Sequence, residues 1–228
     1  MNGSTTIGEE SKVGKENQVN HLVLVGDLVA SRRIARRSAV QEKLRVCLNQ
    51  LNAKKKEGLV SPYTITLGDE FQAVFSAPDR IFQDALTILL ALYPVAVRFS
   101  CAIGEISTVI NTKQAIGMDG PAFHDARATI DRLKKTDSLF AIAGPGGAGL
   151  TLINHSLALV SHSIRKWPRS RLEILHRLSE NHSVEQIARD LRVTEQAAYK
   201  SIEAGAIRTI VPVFGEITAR LRQIMEQK

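Results

Sequence analysis

Two β-rich runs, residues 63–67 and 71–75, are separated only by Gly68, Asp69 and Glu70. That spacing predicts a tight hairpin, and a hairpin restricts what can be built around it. Ahead of it, a short apolar run at 22–25 ends in Gly26 and Asp27, the pattern of a buried strand whose last residue emerges at a sheet edge. Between the two, residues 36–54 place Val40, Leu44, Cys47, Leu48 and Leu51 on one helical stripe. Beyond the hairpin, Asp79 follows Pro78 and opens a helix carrying Ile81, Phe82, Ala85, Leu86, Leu89 and Leu92, which Pro94 closes before a strand at 95–103. A third helix over 121–133 follows. After it come β-like runs at 139–143 and 150–153, joined by the glycine turn 144–149. This alternation, with one hairpin inside it, predicts an α+β sandwich: helices on one face of a mainly antiparallel sheet.

With 228 residues, 44% of them hydrophobic, the chain can bury a substantial core, which excludes disorder and fibrous classes. Thirty Lys and Arg against 23 Asp and Glu leave a net charge of +7, a balance that favours polyanionic partners without proving one. Cys47 and Cys101 form no CxxC pair and are too few for a disulfide scaffold, which points to a reducing compartment. Residues 1–20 are polar and read as a mobile tail rather than a secretory signal. The most apolar run, 81–97, is interrupted by Gln83, Asp84 and Pro94 and cannot serve as a membrane span. A cytoplasmic protein is expected.

Past His155 the strand patterns stop and short helices with sharp turns take over. We expect a boundary near 155–168, with Trp167 and Pro168 at the join, between an α+β domain at 21–160 and a helical domain at 168–228. Three short helices are predicted at 171–178, 184–191 and 195–207, with Ser183 and Gln186 as a capping box and Thr194 as the cap of the third. The segment SVEQIARDLRVTEQAAYKSI resembles the helix-turn-helix of many bacterial regulators. That resemblance makes DNA a partner, with Gln196, Tyr199 and Lys200 turned outward and Arg192 and Thr194 placed for phosphates. A bundle that only packs or dimerises is the alternative. A last helix at 211–225 has Phe214, Ile217, Leu221 and Ile224 at helical spacing, a row suited to a core or to the seam of a homodimer.

Asp27 and Asp69 both follow glycines, one at a strand end and one at a hairpin tip, so neighbouring strands would bring both carboxylates to one edge. Hard oxygen donors of this kind suit Mg²⁺ or Mn²⁺, with Glu70 as a third ligand or a solvated neighbour. The strings VLVGDLVASR (23–32), SPYTITLGDEFQAVF (61–75), VRFSCAIGEIST (97–108) and AIGMDGPAFHDAR (115–127) resemble, in order, the SatD family of prokaryotic proteins.

A more distant resemblance is to class III nucleotide cyclases and GGDEF domains. It implies a ferredoxin-like core in which Asp27 and Asp69 match the two metal aspartates, and Gly104 and Gly117 match glycines that flank a later strand. The match departs at Ile65, where ATP cyclases often carry a base-reading Lys. It departs again at His124 and Ala128, which stand where an Asn and an Arg are expected, with Arg127 one residue away. Metal and nucleotide binding follow from the resemblance more readily than cyclisation does. Arg32 and Arg33 are placed to clamp a triphosphate, His124 to act as acid or base, and Glu105 to touch polar substrate from a strand end expected on the same edge.

The glycine run 144–149 lacks the Lys and Ser/Thr of a phosphate-binding P-loop and reads as a hairpin. His155, His162, His176 and His182 show no metal spacing. The expected function is a cytoplasmic regulator that couples a metal- and nucleotide-binding domain to a DNA-binding one. The rival is a metal-dependent nucleotidyl- or phosphoryl-transfer enzyme.

Overall fold

A computed structural model describes residues 20–29, 36–54 and 58–227. Residues 1–19 of the expected tail, together with Arg32 and Arg33, lie outside them. The order is β1 (His21–Leu28), α1 (Arg37–Ala53), β2 (Leu59–Leu67), β3 (Glu70–Phe75), α2 (Ile81–Leu92), β4 (Val97–Gly104), α3 (Pro121–Leu133) and β5 (Phe140–Ala143). Five helices complete the chain's C-terminal part: α4 (Gly147–Ile164), α5 (Arg169–Ser179), α6 (Val184–Leu191), α7 (Glu195–Ala204) and α8 (Ile207–Glu226).

The strands form one sheet in the order β2-β3-β1-β4-β5. β1 lies antiparallel to both β3 and β4, and only β5 runs parallel to its neighbour. The first four strands thus make the split arrangement of a ferredoxin-like sheet: α1 carries the chain over β3 and α2 carries it over β1.

Strand alternation sorts the side chains onto two faces. Leu22, Leu24, Phe71, Phe75, Phe99 and Ile103 face α1, α2 and the C-terminal helices. Val23, Val25, Val74 and Ala102 face Ala122, Ala126 and Ile130 of α3. Helices therefore cover both faces, not the single face expected from sequence, and β1 reads as a continuous apolar run because it is buried on both sides.

The predicted strand at 150–153 is helical and belongs to α4. Leu150, Ile153, Leu157, Val160 and Ile164 are buried at helical spacing, and the glycine run opens the helix rather than turning a hairpin. Phe214, Ile217, Leu221 and Ile224 are buried in the chain's own core, so they are core and not a dimer seam. Phe214 stacks on Phe82 with ring centroids 4.3 Å apart. Both cysteines are free and buried; burial pushes the Cys47 thiol up to about 11 and the Cys101 thiol to about 12, so neither is a ready thiolate. Among the described residues no helix is long and apolar enough to cross a membrane.

α5 docks on α2 through polar contacts as well as apolar ones. Gln83 donates to the Ser179 carbonyl at 3.0 Å, Arg169 donates to the Leu90 carbonyl at 2.9 Å, and Thr87 lies 2.9 Å from His176 Nε2. Burial holds the His176 imidazole below its ordinary value. Lys54 and Arg177 act the same way, while Glu180 and Glu173 oppose them. An unfolded chain therefore binds a proton at His176 more readily than the folded one, and stability falls as pH falls through the ordinary histidine range. Thermal melts at pH 7.5 and 5.5 should show this loss, and His176→Gln should reduce it.

Candidate functional site

Gly26 and Asp27 lie inside β1, which runs on to Leu28, instead of emerging past its end. Gly26 is required for packing: a Cβ there would meet the ring of Phe71, opposite it in the ladder, at 2.1 Å. Asp27 sits in register with Glu70 on one side and Arg98 on the other. By alternation it shares the face of Val23 and Val25, beneath the last turn of α3, and is only 6% exposed.

Three carboxylates and four cations meet there. Asp27 Oδ2 lies 3.3 Å from Arg98 Nη1, and its Oδ1 lies 3.7 Å from Lys134 Nζ. Lys134 also reaches Glu70 Oε1 at 3.0 Å, while Glu70 Oε2 accepts from Arg127 at 3.3 Å. Asp69 occupies the turn that Gly68 makes with φ +47°; its carboxylate is 4.0 Å from Arg37, and its carbonyl accepts from the Leu28 amide at 3.2 Å.

Burial raises the Asp27 carboxyl above its usual value, Lys134 and Arg98 pull it back, and Glu70 and Asp69 add to the rise. Burial alone would lower the Lys134 ammonium, but its bond to Glu70 and the charges of Asp27, Glu70 and Asp131 outweigh that and raise it.

Asp27, Asp69, Glu70 and Arg127 are thus brought together. Glu105 is not: antiparallel register puts Gly104 opposite His21 and Arg98 opposite Asp27, so Glu105 lies at the far end of β4, where its carbonyl accepts from Ala122. His124 lies ten residues before Lys134, about 15 Å along the helix at 1.5 Å per residue, and faces Asp119 at 2.7 Å. Arg98 and Lys134 escape sequence reasoning. Their signals are a lone charge in an apolar strand and a Lys two helical turns after Arg127.

The carboxylates have the oxygen chemistry a divalent ion takes. Yet both oxygens of Asp27 and both of Glu70 face basic side chains, and among the described residues no three or more His, Cys, Asp and Glu are grouped to hold a metal. The edge as it stands suits an ion-paired cluster better than a bare metal.

The second group of residues lies on α6 and α7, joined by Arg192, Val193 and Thr194. Ser183 caps α6 through the Gln186 amide, and Thr194 caps α7 through the Ala197 amide, each at 3.1 Å. Ile187 and Ala188 of α6 and Ala198 and Ile202 of α7 are buried. Arg177 of α5 binds Asp190 at 2.6 Å. Arg192, Thr194, Gln196, Tyr199 and Lys200 are all exposed, and the Arg208 guanidinium lies 5.8 Å from the Tyr199 ring centroid.

The sequence pattern of the SatD family matches residues 21–211. The chain belongs to the SatD family. No curated protein matches it in sequence. Among solved structures, a bacterial light-regulated adenylyl cyclase is similar at 11% identity with a TM-score of 0.42, over 61% of this chain and 46% of that one. The chain spans less than half of that cyclase's length, and the likeness is weak.

Among the described residues of this SatD-family chain, three that are not glycine hold positive φ: Asn181, Arg192 and Ala206. Arg192 adopts φ 54° and ψ 42°, the left-handed region where a helix end favours glycine. Arg192→Gly should therefore raise stability by about 1 kcal/mol in denaturant melts. An unchanged or lower stability would show that the arginine side chain holds the turn.

Proposed function

We propose that this SatD-family chain is a DNA-binding regulator, with residues 168–228 as its DNA-binding part and 21–160 as a metal- and nucleotide-binding part. The reading takes α6, the turn and α7 as a helix-turn-helix, with α7 entering the major groove. One observation carries it: α7 buries Ala198 and Ile202 while Gln196, Tyr199 and Lys200 are exposed. Gln reads adenine edges, and Lys reads guanine or phosphate. Arg192 and Thr194 flank the N-terminal end of α7, where backbone amides also favour phosphate. The test is titration of labelled duplex DNA with the full chain at several salt concentrations. Affinity should fall steeply with salt as counterions are released. Weak binding that ignores salt contradicts the reading.

The mixed-charge edge supports a second part of the proposal. Bare carboxylates would suit a metal alone, whereas carboxylates ringed by Arg37, Arg98, Arg127 and Lys134 suit a metal together with its anionic ligand. Asp27 and Asp69 would hold Mg²⁺ or Mn²⁺ with Glu70 beside them, and the basic side chains would turn to phosphate oxygens. A bound ion would supply charge neutralisation between carboxylate and phosphate. A thermal-shift panel of ATP, GTP, CTP and UTP with Mg²⁺ or Mn²⁺ should show stabilisation only when nucleotide and metal are both present. Asp27→Asn with Asp69→Asn should remove it. Product in the same samples would instead favour a nucleotidyl- or phosphoryl-transfer enzyme, and no shift in any sample contradicts this part.

A further inference from the structure

The side of α4 turned away from the core carries a stripe of its own. Ala148, Leu152, His155, Leu159 and His162 are exposed and follow one another at alternating steps of four and three residues. That spacing keeps one seam of a helix directed at a neighbouring helix. Leu152 is 68% exposed and Leu159 74%, a large cost in apolar surface if nothing covers them. Residues of α8 line a groove shared with α4, and Thr209, Val213, Glu216 and Arg220 follow the same step there. Between the two helices lies a groove of about 560 Å³ walled by Leu152, Ile153, Pro212, Val213 and Ile217.

We propose that this face is the interface of a homodimer, in which a second copy of the chain lays its α4 seam against the groove about a two-fold axis. A two-fold interface brings one patch against itself, so the patch must be self-complementary. This one is complementary in shape class and in charge. Protruding leucines on α4 stand beside an apolar groove of matching chemistry.

Glu216 and Arg220 lie one turn apart on α8 at the groove's mouth, and both are exposed. Arg220 donates to Gln223 at 3.0 Å, leaving the Glu216 carboxylate to other partners. Two α8 helices crossing antiparallel at the axis set Glu216 of one copy against Arg220 of the partner subunit, and the reverse. A partner of one charge sign, such as nucleic acid or an anionic membrane, would meet one attractive and one repulsive group on this face. Of the row on α8, Phe214, Leu221 and Ile224 are used within the chain, and only Ile217 also reaches the groove wall.

Sedimentation equilibrium on the full chain, from low to high micromolar and without DNA or nucleotide, tests the proposal separately from the DNA reading. The wild-type protein should sediment as a dimer. Leu152→Glu with Leu159→Glu should sediment as a monomer with native circular dichroism, because both side chains are exposed in the single chain. A charge reversal guards against a variant that fails to fold. Glu216→Arg should raise the dimer dissociation constant about tenfold or more, the scale of a lost close charge contact, and adding Arg220→Glu should restore it. A wild-type monomer at every concentration overturns the interface. So does a dimer that survives both the leucine pair and Glu216→Arg unchanged.

Discussion

Arg80→Ala destabilises the fold by about 3–5 kcal/mol, the cost of leaving a buried charge without its partner. Arg80 and Asp84 each have side chains only 3% exposed. Arg80 Nε donates to Asp84 Oδ2 at 2.7 Å, and Nη2 donates to Asp84 Oδ1 at 3.3 Å and to the Leu51 carbonyl at 3.1 Å. The Tyr63 hydroxyl donates to Asp84 Oδ2 at 3.0 Å, joining the end of α1, β2 and the first turn of α2. Burial and the adjacent Asp84 hold the Tyr63 phenol well above its ordinary value, so it remains a donor at all working pH. Removing the guanidinium leaves the buried carboxylate with the neutral Tyr63 hydroxyl but without its opposite charge. Replacing the pair together, Arg80→Met with Asp84→Leu, should recover much of the loss, because neither charge is then left alone. Urea melts with an unchanged slope provide the measurement. A loss below 1 kcal/mol for the single variant would show that water reaches the carboxylate.

The second large effect falls on DNA affinity. Gln196→Ala with Lys200→Ala should weaken binding to a preferred duplex by about 2–6 kcal/mol, from roughly 1–3 kcal/mol for each base contact. Non-specific binding should change far less, because phosphate contacts carry it. Both side chains are exposed and Ala favours helix, so stability should remain within a few tenths of the wild type. The discriminating comparison is between specific and competitor DNA in the same titration. Equal losses on both would place these residues on phosphates, and no loss on either would remove α7 from the interface.

Much of the sheet could be read from the chain before any coordinates. The strand, helix, hairpin, helix, strand order follows from residues such as Leu44 to Leu51 at helical spacing and from Gly68 between two β-rich runs. Other features were not legible, for identifiable reasons. Gly26 looks like turn chemistry but serves a strand, because its missing Cβ is filled by a Phe71 ring 45 residues away in sequence. Residues 150–153 are a short apolar run, which periodicity alone cannot assign to strand or helix. Glu105 was expected at the wrong end because the direction of β4 is set by pairing, not by its own residues. Arg98 and Lys134 join Asp27 only through that pairing and the docking of α3.

The most direct test of the central claim is selection of binding sites from a randomised duplex library by the full chain, at physiological salt and with competitor DNA. The proposed regulator should enrich one defined sequence, and the Gln196→Ala, Lys200→Ala variant should fail to enrich it. A final pool no different from the starting library, or the same pool from wild type and variant, would contradict DNA recognition by α7.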